Sequence, residues 1–314
     1  MEKIIEYYGL DAQGYNQQNV EFLDLYLGID NLLFLDYNKI LLSNSPLYLA
    51  MKGDIDAFMR GMFVYLTRGQ NSDLATLLKG LHETNATHLG MSKNKPKGNS
   101  VGDELKKEIF KNLLFLRSSF LKGNMEIDSI YFGIENIGPD RISDIVTSII
   151  KLRLIQFTQG QCLKHGIQMD RVLAGKTFDS SNLSWNLNFV DLPTYEGKPV
   201  ILIPKDIVSS YASISGTFHS FIRYGFNKFF KTSPVYKLLV RGKDGKKDTD
   251  LKRKEFNEYN KVIGLNPKAV SKQILTEFDN KDLVEAFAEI RKKVRILTDD
   301  ELVEIIENSI KKAN

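Results

Sequence analysis

The chain has 314 residues, 42% hydrophobic and 26% charged, with a formal net charge of +4. That composition is globular, with apolar material for one large core or two smaller ones, and no apolar run is long enough to cross a bilayer. Cys162 is the only cysteine, which excludes an internal disulfide and any cysteine-rich zinc site.

In chain order, MEKIIEYYGLDAQGY is acidic early and lacks a small-residue cleavage site, so no signal peptide is expected and the expected location is the cytoplasm. NVEFLDLYL has apolar residues at helical spacing and Asn19 as a cap, which predicts a helix. NLLFLDY is a run of strand length. GDIDAFMRGMFVYLTRG predicts a helix bounded by its glycines, with Ile55, Phe58, Met59, Met62, Phe63 and Leu66 on one face. SDLATLLKGL predicts another, capped by Ser72. GMSKNKPKGNSVGD, residues 90–103, is a loop without periodicity. DELKKEIFKNLLFLRSSFL follows as an amphipathic helix, then IDSIYFGI as a strand.

From Ile142 onward the apolar period predicts a helix to about Gly166, with Cys162 on its buried side as an inert thiol. NFVDLPTYEGKPVILIPKDIV reads as a hairpin turning at Glu196-Gly197, and YKLLVRGKDGKKDTD as a second one turning at Asp244-Gly245. The tail is helical: SKQILTEF, NKDLVEAFAEIRKKV and TDDELVEIIENSIKK, the last opened by a capping box of Thr298 and Glu301. The expected fold class is therefore α+β, a helix-rich core with short strands and two β-hairpins. A division near residue 206 would give a helix-rich α+β core domain, 1–206, and a basic, mostly helical region, 207–314. One continuous domain is the alternative.

The stretch NIGPDRISD, ahead of the helix at Ile142, admits two readings. In the first, Gly138-Pro139 turns the chain, Ser143 or Asp144 caps the helix, and the acids favour its dipole. Arg141 is then a structural ion-pair partner. In the second, Asp140 and Asp144 hold a hard divalent cation, Mg2+ or Mn2+, and Arg141 meets a phosphate oxygen. This would make the three residues the catalytic centre of a metal-dependent nuclease or phosphohydrolase, with Glu83, Asp191 and Lys205 as further candidates.

Several templates fail. His82, His88, His165 and His219 form no zinc helix motif, and no Gly-x-Ser-x-Gly elbow, dinucleotide fingerprint or kinase motif set occurs. A nuclease Glu-x-Lys is matched by letters at Glu196 to Lys198, after Asp191, but that position predicts a turn where the chemistry needs a strand. Glu104 to Lys106 falls on a predicted helix.

Basic residues cluster in two places. Lys93, Lys95 and Lys97 crowd one loop, which leads into a helix and could present an anion site, although it lacks the Gly-Lys-Ser/Thr ending of a phosphate loop. A second run includes Arg241, Lys243, Lys246, Lys247 and Arg253. Both are candidate nucleic-acid contacts, and a solvated basic face is the plain alternative.

GIENIGPDRISDIVTSIIKLRLIQFTQGQC and VILIPKDIV resemble stretches of a poorly characterised group of bacterial proteins. Some members of that group continue into a restriction-endonuclease-like domain with an acid and a Glu-Cys-Lys motif, which is not seen in this sequence. The resemblance implies a component of defence against foreign DNA. The leading expectation is a cytoplasmic nucleic-acid-binding component, DNA before RNA, with no membrane association. The alternatives are the metal-dependent enzyme and a protein-interaction subunit of a defence complex, docking a partner protein of the same system through its amphipathic helices.

Overall fold

A computed structural model of the chain describes residues 1–90, 139–210 and 295–313. The chain divides into two compact units, and every described residue belongs to the first, which joins Met1–Phe110, Pro139–Ile214 and Val294–Asn314. The helices are α1 (Ile4–Tyr7), α2 (Tyr37–Leu42), α3 (Pro46–Thr67), α4 (Asn71–Lys79), α5 (Pro139–His165) and α6 (Asp299–Ala313). The strands are β1 (Leu33–Leu35), β2 (Asp170–Asp179), β3 (Ser184–Leu192), β4 (Thr194–Tyr195), β5 (Lys198–Pro199) and β6 (Val208–Ser210). They pair antiparallel as β1 with β6, β2 with β3, and β4 with β5. The fold is α+β, as the sequence predicts. No helix among the described residues is long and apolar enough to cross a membrane.

The core is built around α5. Ile142, Ile145, Val146, Ile149, Ile150, Leu154 and Ile155 are all buried, and so are Ser143, Ser148, Lys151, Thr158, Gln161 and His165. Buried polar groups cost free energy unless they are hydrogen-bonded. Three of these hydroxyls meet main-chain groups of the segments packed around the helix. Ser143 Oγ accepts from Leu35 N at 3.0 Å, Ser148 Oγ from His82 N at 3.0 Å, and Thr158 Oγ1 from Leu202 N at 2.9 Å.

This explains how residues 200–203 can be fully buried and extended without belonging to a sheet. Their polar backbone is served piecemeal: Val200 N bonds Pro193 O at 2.8 Å, Ile201 N bonds Ala86 O at 2.8 Å, and Ile203 O accepts from Leu23 N at 2.9 Å. Unserved, each such group would cost on the order of a hydrogen bond.

Helix α3 starts where Ser45 Oγ accepts from Tyr48 N at 3.4 Å, with Pro46 in the first turn. It is longer than the sequence predicts. Gly53 lies inside it rather than at its start, whereas Gly69 stands just past its end as expected. Gly61 is needed for space, since a Cβ there would sit 2.7 Å from Leu183 Cδ1. Helix α4 forms as predicted but begins at Asn71 with no side-chain cap, so Ser72 is not its cap. Helix α6 has the predicted capping box, with Glu301 N bonded to Thr298 Oγ1 at 3.3 Å and Thr298 N to Glu301 Oε2 at 2.9 Å. It is tied to the N-terminal segment by Ser309 Oγ, which accepts from Leu32 N at 2.9 Å, and by Tyr26 Oη, which donates to Glu307 Oε2 at 2.8 Å.

NVEFLDLYL is not a helix. It runs extended, with Ile4 N bonded to Leu25 O at 3.0 Å and Leu27 N to Glu2 O at 3.0 Å. Val20, Phe22, Leu23, Leu25, Tyr26 and Leu27 are all buried. Apolar residues covered on every side give no period that distinguishes helix from strand at this length. Asn19 caps a turn instead, accepting from Asn16 N at 2.8 Å.

The turn at Glu196-Gly197 is borne out. Tyr195 faces Lys198, and the two turn residues have φ of 49° and 73°, the left-handed pair of a tight hairpin. The ladder is only two residues deep on each side, because the run ahead of it, as β3, pairs with β2. The hairpin expected at Asp244-Gly245, the elements expected at DELKKEIFKNLLFLRSSFL and IDSIYFGI, and the helices expected at SKQILTEF and NKDLVEAFAEIRKKV lie outside the described residues.

Candidate functional site

The motif GPDRISD opens α5. The helix begins at Pro139, so Ser143 and Asp144 stand inside it and neither is its cap. Ser143 is instead the buried acceptor for Leu35 N. Asp140 lies in the first turn. Arg141 and Asp144 are half-buried, three residues apart on one face of the helix, and both are engaged in polar or electrostatic interactions.

The same face continues through Ser148 and Lys151, at four and seven residues beyond Asp144. Lys151 is 3% exposed. Its Nζ donates to Ala174 O and lies 3.3 Å from His82 Nε2. The partner of the other imidazole nitrogen fixes the tautomer: His82 Nδ1 is 2.8 Å from Gly80 O, a carbonyl that can only accept, so Nδ1 carries the proton and Nε2 accepts from Lys151. Ser148 holds the main chain of His82 from both sides, accepting from its N–H and donating to its carbonyl.

The space for the ammonium comes from a bulge in β2 between Leu173 and Lys176. Gly175 has φ of 79°, and a Cβ there would stand 3.1 Å from Lys151 Nζ. Opposite, the Trp185 ring stacks edge-on to His82 with centroids 6.2 Å apart and donates from Nε1 to Leu77 O at 2.8 Å. It lies flat against Gly80, where a Cβ would overlap the indole at 2.0 Å. Burial alone pushes Lys151 down to about 8. An amine in that range is neutral in a sizeable fraction of molecules near physiological pH, the state that accepts protons or attacks electrophiles.

Two residues along the helix the half-buried Arg153 meets a second buried charge, Asp54 of α3. Arg153 Nε is 2.8 Å from Asp54 Oδ2 and Nη2 is 3.2 Å from Oδ1, and Ser180 Oγ donates to the same carboxylate at 2.7 Å. Asp54 thereby pins α3, α5 and the turn between β2 and β3.

The further acids and lysine named from sequence have separate surroundings. Burial and the Asp30 carboxylate hold Glu83 above the usual carboxylate range. Asp191 pairs with Arg171 at 3.5 Å on the surface, and Lys205 with Asp299 at 2.8 Å. Among the described residues no three His, Cys, Asp or Glu side chains are grouped so as to hold a metal ion. Glu196 to Lys198 form the hairpin turn and its edge, as expected. Cys162 is buried and its thiol is pushed up to about 12, which makes it inert as expected. Lys93, Lys95, Lys97, Arg241, Lys243, Lys246, Lys247 and Arg253 lie outside the described residues, as does Glu104 to Lys106.

Lys151 and His82 did not stand out in the sequence. The available signal was a lysine between Ile150 and Leu152, at a phase where the helical period demands burial. No curated protein and no solved structure matches the chain. Residues 13–215 match the family described as a domain of unknown function, DUF8370. This span takes in the whole of α5, the Lys151–His82 pair and the hairpins, and the chain belongs to that family.

Proposed function

We propose that the protein is a nucleic-acid-binding component of a bacterial defence system, acting on DNA in preference to RNA and alongside a partner protein of that system. The observation that carries this reading is the density of cations in the sequence at Lys93, Lys95 and Lys97 and from Arg241 to Arg253. In the described unit Lys3, Lys39, Lys151, Arg153, Lys164 and Lys205 are bonded within the fold, while Lys52, Arg60, Arg68, Lys176 and Lys198 are exposed. The reading rests phosphate contact on the two clusters because they are the densest runs of cations in the sequence.

Counterion release makes such binding fall steeply with salt, with a log-log slope of about −0.9 per phosphate neutralised on duplex DNA. In a fluorescence-anisotropy series with short duplexes, Lys95→Glu with Lys97→Glu weakens every sequence alike and flattens the slope by roughly two. Absence of binding, or binding indifferent to salt, overturns the reading.

A second reading keeps an enzyme, a divalent-metal nuclease or phosphohydrolase using Asp140, Asp144 and Arg141. It is favoured by one observation: Arg141, Asp144 and the buried Lys151 share one face of α5. Metal-dependent turnover lost in Asp144→Asn at unchanged melting temperature supports it, and loss of stability alone removes it.

A further inference from the structure

Among the described residues six buried side-chain nitrogen and oxygen atoms have no hydrogen-bond partner, and three of them adjoin at the end of α5: His165 Nδ1, His165 Nε2 and Gln161 Oε1. The two residues are four apart, hence neighbours on the helix surface, and they are 5% and 6% exposed. Gln161 donates through Nε2 to Glu21 Oε2 at 2.6 Å, which leaves Oε1 as the unmatched end of the amide.

The imidazole stands edge-on to Tyr15, with centroids 4.7 Å apart at 89°, and to Phe22, at 5.8 Å and 80°. Tyr15 is the half-buried anchor of a mostly exposed loop, residues 11–19. The loop is also held by Tyr15 N bonded to Leu10 O at 3.1 Å, by Gln17, whose Nε2 donates to Phe22 O at 2.9 Å and whose Oε1 accepts from Asp24 N at 2.8 Å, and by Lys205 Nζ bonded to Gln17 O at 3.2 Å.

A neutral ring fits an aromatic slot of this kind with one unmatched donor. An imidazolium brings a second donor and a full charge into the same slot, where Gln161 Oε1 is the one unmatched acceptor within a turn. The charged groups that face it act in opposite directions. Glu21 favours the proton and Lys164 opposes it, while the C-terminal position on α5 favours a cation. Burial outweighs these and holds His165 below its ordinary value.

We infer that His165 is a proton-operated latch for the loop at residues 11–19, whose ring, once protonated, leaves the slot between Tyr15 and Phe22 and frees the loop. The test is an NMR titration of the full chain from pH 7.5 to 5, following the His165 ring and hydrogen exchange at the amides of Tyr15, Asn19 and Val20. The imidazole titrates below 6.5, and the protection of those amides falls by about tenfold or more across its titration.

His165→Phe keeps a ring in the slot and removes the proton, so its loop protection stays flat. His88→Asn, which removes a half-buried imidazole elsewhere at a position of φ 54° that Asn adopts readily, retains the wild-type response. A His165 titration at or above 6.5, amide protection unchanged across it, or the same loss in His165→Phe overturns the latch. Should His165→Phe fail to fold, the wild-type titration and exchange decide the matter alone.

Discussion

Arg153→Met destabilises the protein by about 3–5 kcal/mol in urea unfolding at pH 7, the range for leaving a buried charge without its partner. Asp54 is 3% exposed, and Arg153 meets it with two hydrogen bonds. Without the guanidinium the carboxylate keeps only the Ser180 hydroxyl, which cannot offset the loss of hydration of a full charge. The pair as such is not the source of the stability. Asp54→Leu combined with Arg153→Met therefore recovers most of the loss, because apolar groups of similar volume carry no charge to desolvate. A single-variant loss below about 1 kcal/mol would show that water reaches Asp54.

The second large effect is a pH dependence on the alkaline side. Lys151 titrates at about 8 in the folded chain against 10.5 when unperturbed. Between those values the unfolded chain holds a proton that the native state lacks, so this residue makes stability rise with pH, by about 3 kcal/mol across the window. Below pH 8 both states are protonated and the contribution is absent; above 10.5 it is complete. Tyr8, Tyr48 and Cys162, all pushed upward by burial, act the other way at the top of the range. The measure is therefore the difference between wild type and Lys151→Met, followed by urea midpoints from pH 7 to 10.5. That difference climbs with pH toward wild type. A flat difference would mean that the ammonium stays charged in its place against Ala174 and His82.

What the sequence makes legible is whatever has a period or a local rule. Helix α5 shows through its apolar spacing, α6 through Thr298 and Glu301, and the β4–β5 turn through Glu196-Gly197. Residues 20–27 mislead because burial on all sides erases the alternation that would mark them as extended. Strand β2 has no clear signature, since the Ala174-Gly175 bulge breaks its two-residue repeat.

The candidate site divides in the same way. Arg141 and Asp144 attract notice because charge stands next to a helix start. The buried Lys151 and the half-buried His82 are 69 residues apart, and no local rule links them. Ser143 illustrates the opposite error. It has the chemistry of a cap, but its hydroxyl serves a strand across the core rather than the helix it belongs to.

The service that α5 gives to the main chain around it changes how its polar letters are to be valued. Ser143, Ser148 and Thr158 act as detached rungs of a ladder whose second rail is missing, each tied to a different passing segment. An alanine at Ser143 or Thr158 strands an amide in the dry interior, and one at Ser148 releases the main chain of His82. Invariant hydroxyls along this helix in related chains would therefore be a mark of architecture, and the search for chemistry is better aimed at the positions that this scaffolding does not occupy.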